Sequence, residues 1–469
     1  MQNKLARKRI LIPIVGQGSI VHIIRTGILL QLKSFCEPVV ILLWQQEDLI
    51  TELKSSGVET HLMPKYEVGT EYKNVRGKID YWYKYFKLKT PSTNIQKKYY
   101  SSLKPGKHLL KTKIKETLLW LKFKLNNNYI KKLTKQEDNL LKNENAYNLY
   151  ESWLDTLKAD GIFTVTPFLV EVELVARLLK NKNAQLIASI HSFDNVTKRG
   201  WPAIFFANYF VWNKYNKAEL ERINSDFKTK KNITILGAPQ FDFHYDSNFC
   251  WSKEEWCKKL GLPLDKKIIL YAGGSVNLLP NEAQYVKHLV EYFEQEKTNE
   301  NAIILFRCHP LDNIKRWKKY IGESPYLYYD YKEPIERKLD HNNVTIDELR
   351  RLVSTLKHTD VHISVCSTMT VDGSVFNKPQ LSPYYDEVNK FSETHLRAVY
   401  KQEHYLPIIE SGVLNFAENK NKLFELVLAA LNNPNNYNKN CSLCVEKILT
   451  YSDGQSTNRV INALKQLIA

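Results

Sequence analysis

No stretch of this 469-residue chain approaches the ~20 consecutive apolar residues that span a bilayer, so an integral membrane protein is excluded. Cysteine is scarce, odd in number at seven and scattered, which excludes a disulfide framework and suits a reducing cytosol. Only Cys441 and Cys444 form a C-x-x-C, and without a second ligand pair nearby that spacing does not make a zinc site. The amino terminus has no small-residue cleavage site, so no signal peptide is expected. The first glycine turn, at Gly16 and Gly18, lacks the third glycine of a dinucleotide fingerprint, and NAD binding is not expected there. No internal repeat is present, and the asparagine-rich run from Asn432 to Asn440 is too short to be low complexity. What remains is an ordinary globular composition, 43% apolar, in a chain long enough for two domains.

Positive charge is abundant and unevenly placed. Lys+Arg number 67 against 50 Asp+Glu, a net of +17, and Lys65 to Glu144 alone contributes 20 − 7 = +13. The same segment interleaves Tyr66, Tyr81, Trp82, Tyr83, Tyr85, Phe86, Tyr99, Tyr100, Trp120 and Phe123 with its lysines. Anionic lipid headgroups attract such a surface at about 1 kcal/mol per nearby Lys or Arg, with Trp and Tyr settling at the interface. Nucleic acid would also be attracted, through phosphates and stacking. Leu109 to Leu133 reads as one basic amphipathic helix and no nucleic-acid motif accompanies it, so an anionic membrane surface is the expected partner and nucleic acid is not. The alternative is a solvated insertion whose Lys, Asn and Tyr reflect a compositional bias.

Short apolar runs recur between helical patterns along the whole chain. I-L-I-P-I-V, V-V-I-L-L-W, G-I-F-T-V, L-I-A-S-I, Y-F-V-W-N and I-T-I-L fall in the first half, and I-I-L-Y, A-I-I-L-F and V-H-I-S-V in the second. Strands alternating with helices imply two parallel, doubly wound sheets. Gly237-Ala238-Pro239-Gln240-Phe241-Asp242 follows the last strand of the first set, which places the junction near residue 245. The expected domains are 1–245, with a basic aromatic insertion at about 65–145, and 246–469.

The residues that carry chemistry cluster after these strands. In Thr359 to Gln380 the strand V-H-I-S-V runs into Cys366-Ser367-Thr368, which supplies hydroxyls and free N–H groups where a helix begins. Asp372 lies one helical turn further, placed to accept hydrogen bonds from ribose hydroxyls, and Gly373 admits a ligand or a neighbouring strand. Ala302 to Phe306 ends in Arg307-Cys308-His309-Pro310, a cation and an imidazole at a strand's carboxyl end, the edge where open α/β sheets bind ligands. Lys267 to Tyr271 ends in Ala272-Gly273-Gly274-Ser275, a bare turn that an anion can approach. Nearer the amino terminus, the strand before Gly16-Gln17-Gly18-Ser19 leads into a helix with His22 and Arg25, and Arg25 is a candidate anion contact. Finally, Ala184 to Trp201 delivers His191, Asp194, Asn195, Lys198 and Arg199 into one loop. Asp194 or His191 can take a proton from an acceptor hydroxyl, while Lys198, Arg307 and His309 can stabilise a leaving diphosphate. The structural alternative for Asp194-Asn195 is a turn built from its own side-chain hydrogen bonds.

F-R-C-H-P, followed some way on by D-V-H-I-S-V-C-S-T-M-T-V-D-G-S-V-F-N-K-P, resembles the donor half of GT-B glycosyltransferases of bacterial surface-polysaccharide biosynthesis and the related CDP-glycerol glycerophosphotransferases. The loop at His191 is similar to the S-W-D-N-x-T-x-K-G pattern of a surface-carbohydrate transferase group, with Phe193 in place of tryptophan and Arg199 added before Gly200. The resemblance implies an α/β protein of the GT-B class, two doubly wound Rossmann-like domains facing a central cleft. Gly273, Gly274, Ser275, Arg307, His309, Pro310, Ser367, Thr368 and Asp372 would hold the nucleotide donor. His191 and Asp194 would be catalytic, and Gly16, Gly18, Arg25, Asn195 and Lys198 would contact phosphate or acceptor. The expected partners are a nucleotide-sugar donor and a glycan or lipid-linked acceptor, at the inner face of the cell membrane. No D-x-D pair and no paired glutamates of the retaining type are evident, so inverting transfer without a metal or cofactor is the expectation. A CDP-polyol phosphotransferase, a CMP-sugar transferase and a non-catalytic peripheral scaffold are the alternatives.

Overall fold

The computed structural model describes residues 7–469 apart from 66, 103–105, 144, 200–205, 225–231, 275–278, 297–300, 310–311, 313 and 331–342. The chain divides into two compact units, Met1–Ala238 together with Thr457–Ala469, and Pro239–Ser456. The division therefore falls before the Pro239–Tyr245 segment rather than after it. The last helix, Ser456–Ile468, lies almost wholly in the first unit, with Val460, Leu464 and Ile468 buried on one face. Its apolar stripe needs a core to cover it, and local pattern alone does not say which core.

In the first unit seven parallel strands, β1 (Arg9–Ile14), β2 (Glu37–Leu42), β3 (Glu59–Leu62), β4 (Gly161–Thr164), β5 (Gln185–Ser189), β6 (Asn208–Val211) and β7 (Asn232–Ile235), form one sheet in the order β3-β2-β1-β4-β5-β6-β7. β1, β2, β4 and β5 are buried almost throughout, as strands covered by helices on both faces must be, which is why they read as continuous apolar runs. The second unit has six parallel strands, β8 (Lys267–Ala272), β9 (Ala302–Arg307), β10 (Leu327–Asp330), β11 (Val361–Ser364), β12 (Gln380–Pro383) and β13 (Leu414–Ala417), in the order β10-β9-β8-β11-β12-β13. In each sheet the strand order reverses once, between β1 and β4 and between β8 and β11. Ligands of open α/β sheets bind beyond the carboxyl ends of the strands at such reversals.

The basic segment is a set of helices with a small core of its own, Val75, Ile79, Phe123 and Leu133, against which Trp82, Phe86 and Tyr129 pack. Leu109 to Leu133 is not one helix, as the sequence suggested. Helix Gly106–Leu125 ends, Asn126 accepts from the Asn128 N–H through Oδ1 and from Tyr129 N–H through its carbonyl, and a second helix, Tyr129–Lys142, begins. Asparagine competes for backbone hydrogen bonds in this way and breaks the periodicity. The segment is tied to the sheet layer by a buried charge network. Glu137 pairs with Arg76 and Arg177, and both arginines also reach Glu173 on helix Val170–Asn181.

Candidate functional site

In the second unit the reversal point is flanked by the two motifs expected to hold a donor. The β8 strand runs into Gly273 and Gly274, β11 into Cys366-Ser367-Thr368, and the two strands are neighbours in register from Val361 opposite Ile269 to Ser364 opposite Ala272. β9, the other neighbour of β8, brings Arg307 opposite Ala272. Thus three segments distant in sequence reach one sheet edge.

Their side chains are more occupied than the sequence suggested. The Gly274 N–H was expected to face an anion and instead donates to Glu282, at 2.8 and 3.0 Å to its two oxygens. Glu282 is fully buried and also accepts from the Tyr271 hydroxyl at 3.2 Å, so the glycine turn is filled by the chain's own carboxylate. Gly273 is a packing glycine, since a Cβ there would lie 3.3 Å from both Phe306 and Trp317. The Arg307 guanidinium pairs with Asp330 at the end of β10, and Arg351 pairs with the other oxygen of the same buried carboxylate. Two guanidiniums on one carboxylate leave a net positive charge at the strand ends, with both arginine side chains about a quarter exposed. His309 follows Arg307 and accepts from the Asp312 N–H through its carbonyl. Ser275 and Pro310 lie outside the described residues.

At the β11 turn, Cys366 has φ +48°, a conformation costly for a side chain with a Cβ. It is held there by Tyr400, whose hydroxyl accepts the Cys366 N–H at 2.9 Å, and by Tyr405, whose hydroxyl donates to the Cys366 carbonyl. Backbone strain sustained by two buried tyrosines is the kind found at ligand sites. Ser367 Oγ caps the following helix, Met369–Val375, by accepting from Met369 N–H at 3.2 Å. Thr368 makes no side-chain capping bond and is exposed. Asp372 is bound through Oδ1 to His244 Nε2 at 3.0 Å. Gly373 serves the strand rather than a ligand, because a Cβ there would lie 2.1 Å from His362 Nδ1 and 2.3 Å from Gln380 Nε2.

In the first unit, Ser19 closes the turn after β1: its Oγ accepts from the N–H groups of Val15 and Gly16 and donates to the Gly16 carbonyl. Gly18 meets His191, whose Cδ2 and Nε2 would each lie 3.1 Å from a Cβ at that position. The structure thus brings together the first glycine turn and the loop after β5. His22, buried one turn on, faces Ser189 at the end of β5, 3.3 Å from its hydroxyl. Arg25 departs from expectation as an anion contact, for its guanidinium is buried in a two-pronged pair with Glu52. Asp194 accepts from Ser192 Oγ at 2.6 Å and from Asn195 Nδ2 at 3.1 Å, so it builds the turn while staying partly exposed. The loop is fixed from beneath by Phe193, whose ring is tilted against that of Trp212 with centroids 6.0 Å apart, and by Asn216 Nδ2, which donates to the Phe193 carbonyl. The Lys198 backbone lies in helix Asn195–Arg199, and its side chain is outside the described residues.

Sequence reasoning missed Glu282, Asp330, Arg351 and His244. β10, which carries Asp330 in L-Y-Y-D, alternates too little to read as a strand, and Glu282, Arg351 and His244 acquire meaning only through partners far along the chain.

A family model described as CDP-glycerol:poly(glycerophosphate) glycerophosphotransferase matches residues 206–466. Among solved structures, a putative UDP-N-acetylglucosamine 2-epimerase from Listeria monocytogenes is similar at 13% identity and TM-score 0.55, over 99% of this chain and 97% of that one. S. aureus MnaA, solved with UDP, is similar at 12% identity and TM-score 0.54, over 98% and 96%. A glycosyltransferase from Rickettsia africae is similar at 10% identity and TM-score 0.53, over 99% of both chains. At these identities the likeness shows the fold, which is GT-B. A comparison with curated proteins finds no match.

Proposed function

Because the chain belongs to the CDP-glycerol:poly(glycerophosphate) glycerophosphotransferase family and is a transferase of the GT-B fold, we propose that it moves a polyol phosphate from a CDP-activated donor to a glycan or lipid-linked acceptor. The observation that carries this reading is the family match, which spans the whole second unit and every donor-side residue named above. In the proposed reaction the acceptor oxygen attacks the phosphorus bearing the polyol and gives its proton to His191 or Asp194. A new P–O bond joins acceptor and polyol phosphate, the diphosphate P–O bond breaks, and CMP leaves. Arg307, His309 and the Thr368 hydroxyl neutralise the diphosphate as charge moves onto the leaving group, and Asp372 accepts from ribose hydroxyls. These groups need no bound metal in this scheme, so turnover is expected to survive EDTA.

The basic segment is the proposed contact with an anionic lipid surface. Helix Gly106–Leu125 turns Leu119 and Phe123 to the local core and leaves Leu110, Ile114, Leu118, Leu121 and Leu125 exposed, a stripe at helical spacing on the far side. Lys111, Lys113, Lys115, Lys122 and Lys124 border it, a charge pattern complementary to anionic headgroups.

The test is product analysis of the purified enzyme with CDP-glycerol and a polyol-phosphate-primed acceptor, alongside nucleotide thermal shifts with CDP, CMP and UDP. CMP release with transfer of glycerol phosphate is expected. Release of UDP from a UDP-sugar, with no use of CDP-glycerol, would replace this reading with sugar transfer.

A further inference from the structure

His244 lies in the Pro239–Tyr245 segment that opens the second unit. The segment is anchored: Phe241 and Phe243 are buried, and Asp242 Oδ1 accepts from the Ser456 N–H at 3.1 Å. The His244 ring stacks between Phe241, with centroids 4.9 Å apart, and Phe376, at 5.6 Å. Its side chain is 4% exposed, and Nδ1 is buried with no hydrogen-bond partner among the described residues. A phenyl ring would fill the same slot without leaving a buried nitrogen unmatched. What the imidazole adds is the bond from Nε2 to Asp372 Oδ1; a carboxylate accepts, so Nε2 carries the proton. The Asp372 side chain is 14% exposed and makes no other hydrogen bond among the described residues, so one oxygen is fixed and the other is left to a ligand.

We propose that His244 is a positioning residue for the donor: it aims the Asp372 carboxylate so that the free oxygen meets the ribose hydroxyls of the nucleotide. The inference rests on the reading of Asp372 as the ribose contact. A carboxylate on the first turn of a helix has several rotamers, and a hydrogen bond from a ring that is itself clamped selects one before the ligand arrives. The ordering cost is then met in folding and not in binding.

The test is CDP affinity, by titration calorimetry, of the full-length wild type and of His244→Phe, His244→Gln and Asp372→Asn. The phenylalanine variant keeps the stack and removes the donor; glutamine places an amide N–H near the Nε2 position. His244→Leu removes the same donor with a smaller side chain and keeps the test available if His244→Phe does not fold. We expect Asp372→Asn and His244→Phe each to weaken CDP binding roughly tenfold, and His244→Gln to stay within about threefold of wild type. In turnover the loss should fall on KM, with kcat little changed. Asp372→Asn weakened with His244→Phe unchanged would overturn the positioning role and leave the donor site standing. Equal loss in His244→Phe and His244→Gln would reduce His244 to packing and likewise overturn it. Unchanged CDP affinity in Asp372→Asn would overturn the ribose assignment, and this inference with it.

Discussion

The backbone N–H of Gly274 donates to both carboxylate oxygens of Glu282, at 2.8 and 3.0 Å, in the turn after β8. The arrangement places a buried anion where a glycine turn would otherwise cradle a phosphate. Glu282→Ala strands the Gly274 N–H and the Tyr271 hydroxyl, and is expected to cost about 3 kcal/mol of unfolding free energy in urea titration. Glu282→Gln keeps an acceptor and should cost less. Tighter CDP binding by Glu282→Ala would show instead that the carboxylate competes with the donor phosphates.

Asp194 and His191 are the alternative acceptors of one proton in the proposed reaction. Replacing Asp194 by alanine should lower kcat by roughly 10²-fold or more, with little change in donor KM, if Asp194 is the base. Wild-type turnover in Asp194→Ala would give the proton to His191 and leave Asp194 the turn-building role seen in its bonds to Ser192 and Asn195.

Stability should fall on acidification because of His362. Burial drives its folded-state pKa down to about 3, with Nε2 2.8 Å from the Thr359 hydroxyl. The unfolded chain takes up a proton near pH ~6.5 and the folded chain does not, so the unfolded state binds more protons between those values. This penalty is absent above about pH 6.5 and grows as pH falls towards about 3, by about 1.4 kcal/mol per unit. Chemical denaturation at pH 7 and pH 5 should show the loss, and His362→Asn should flatten the pH slope. An unchanged slope would assign the acid sensitivity to other groups.

Liposome co-sedimentation checks the exposed stripe. Binding to anionic vesicles is expected to exceed binding to neutral ones and to weaken with salt, and the double variant Ile114→Asp, Leu118→Asp should reduce it about tenfold or more without altering the fold. Equal partition onto neutral and anionic vesicles would remove the electrostatic part of the proposal.

Nine of the thirteen strands were legible as apolar runs, eight of them because a strand buried on both faces writes its burial into consecutive residues, while β7, a half-exposed edge strand, was read from the alternation in I-T-I-L. The others, E-T-H-L, L-Y-Y-D, Q-L-S-P and L-N-F-A, are short and at or next to a sheet edge, where half-exposed or polar residues dilute the pattern. The break at Asn126 to Asn128 was legible in composition but was outweighed by the lysine and leucine periodicity on either side.

The sequence by itself determined the fold class and which loops follow the strand ends, since strand, turn and helix signals are local and parallel sheets gather strand ends on one edge. Which side chains in those loops are free and which are spoken for was decided only by tertiary structure. His244 and Asp372 stand 128 positions apart, Arg25 and Glu52 27, and Arg307 and Asp330 23. No local periodicity records such pairs, and yet a carboxylate's partner decides whether it faces a ligand or satisfies the chain's own backbone.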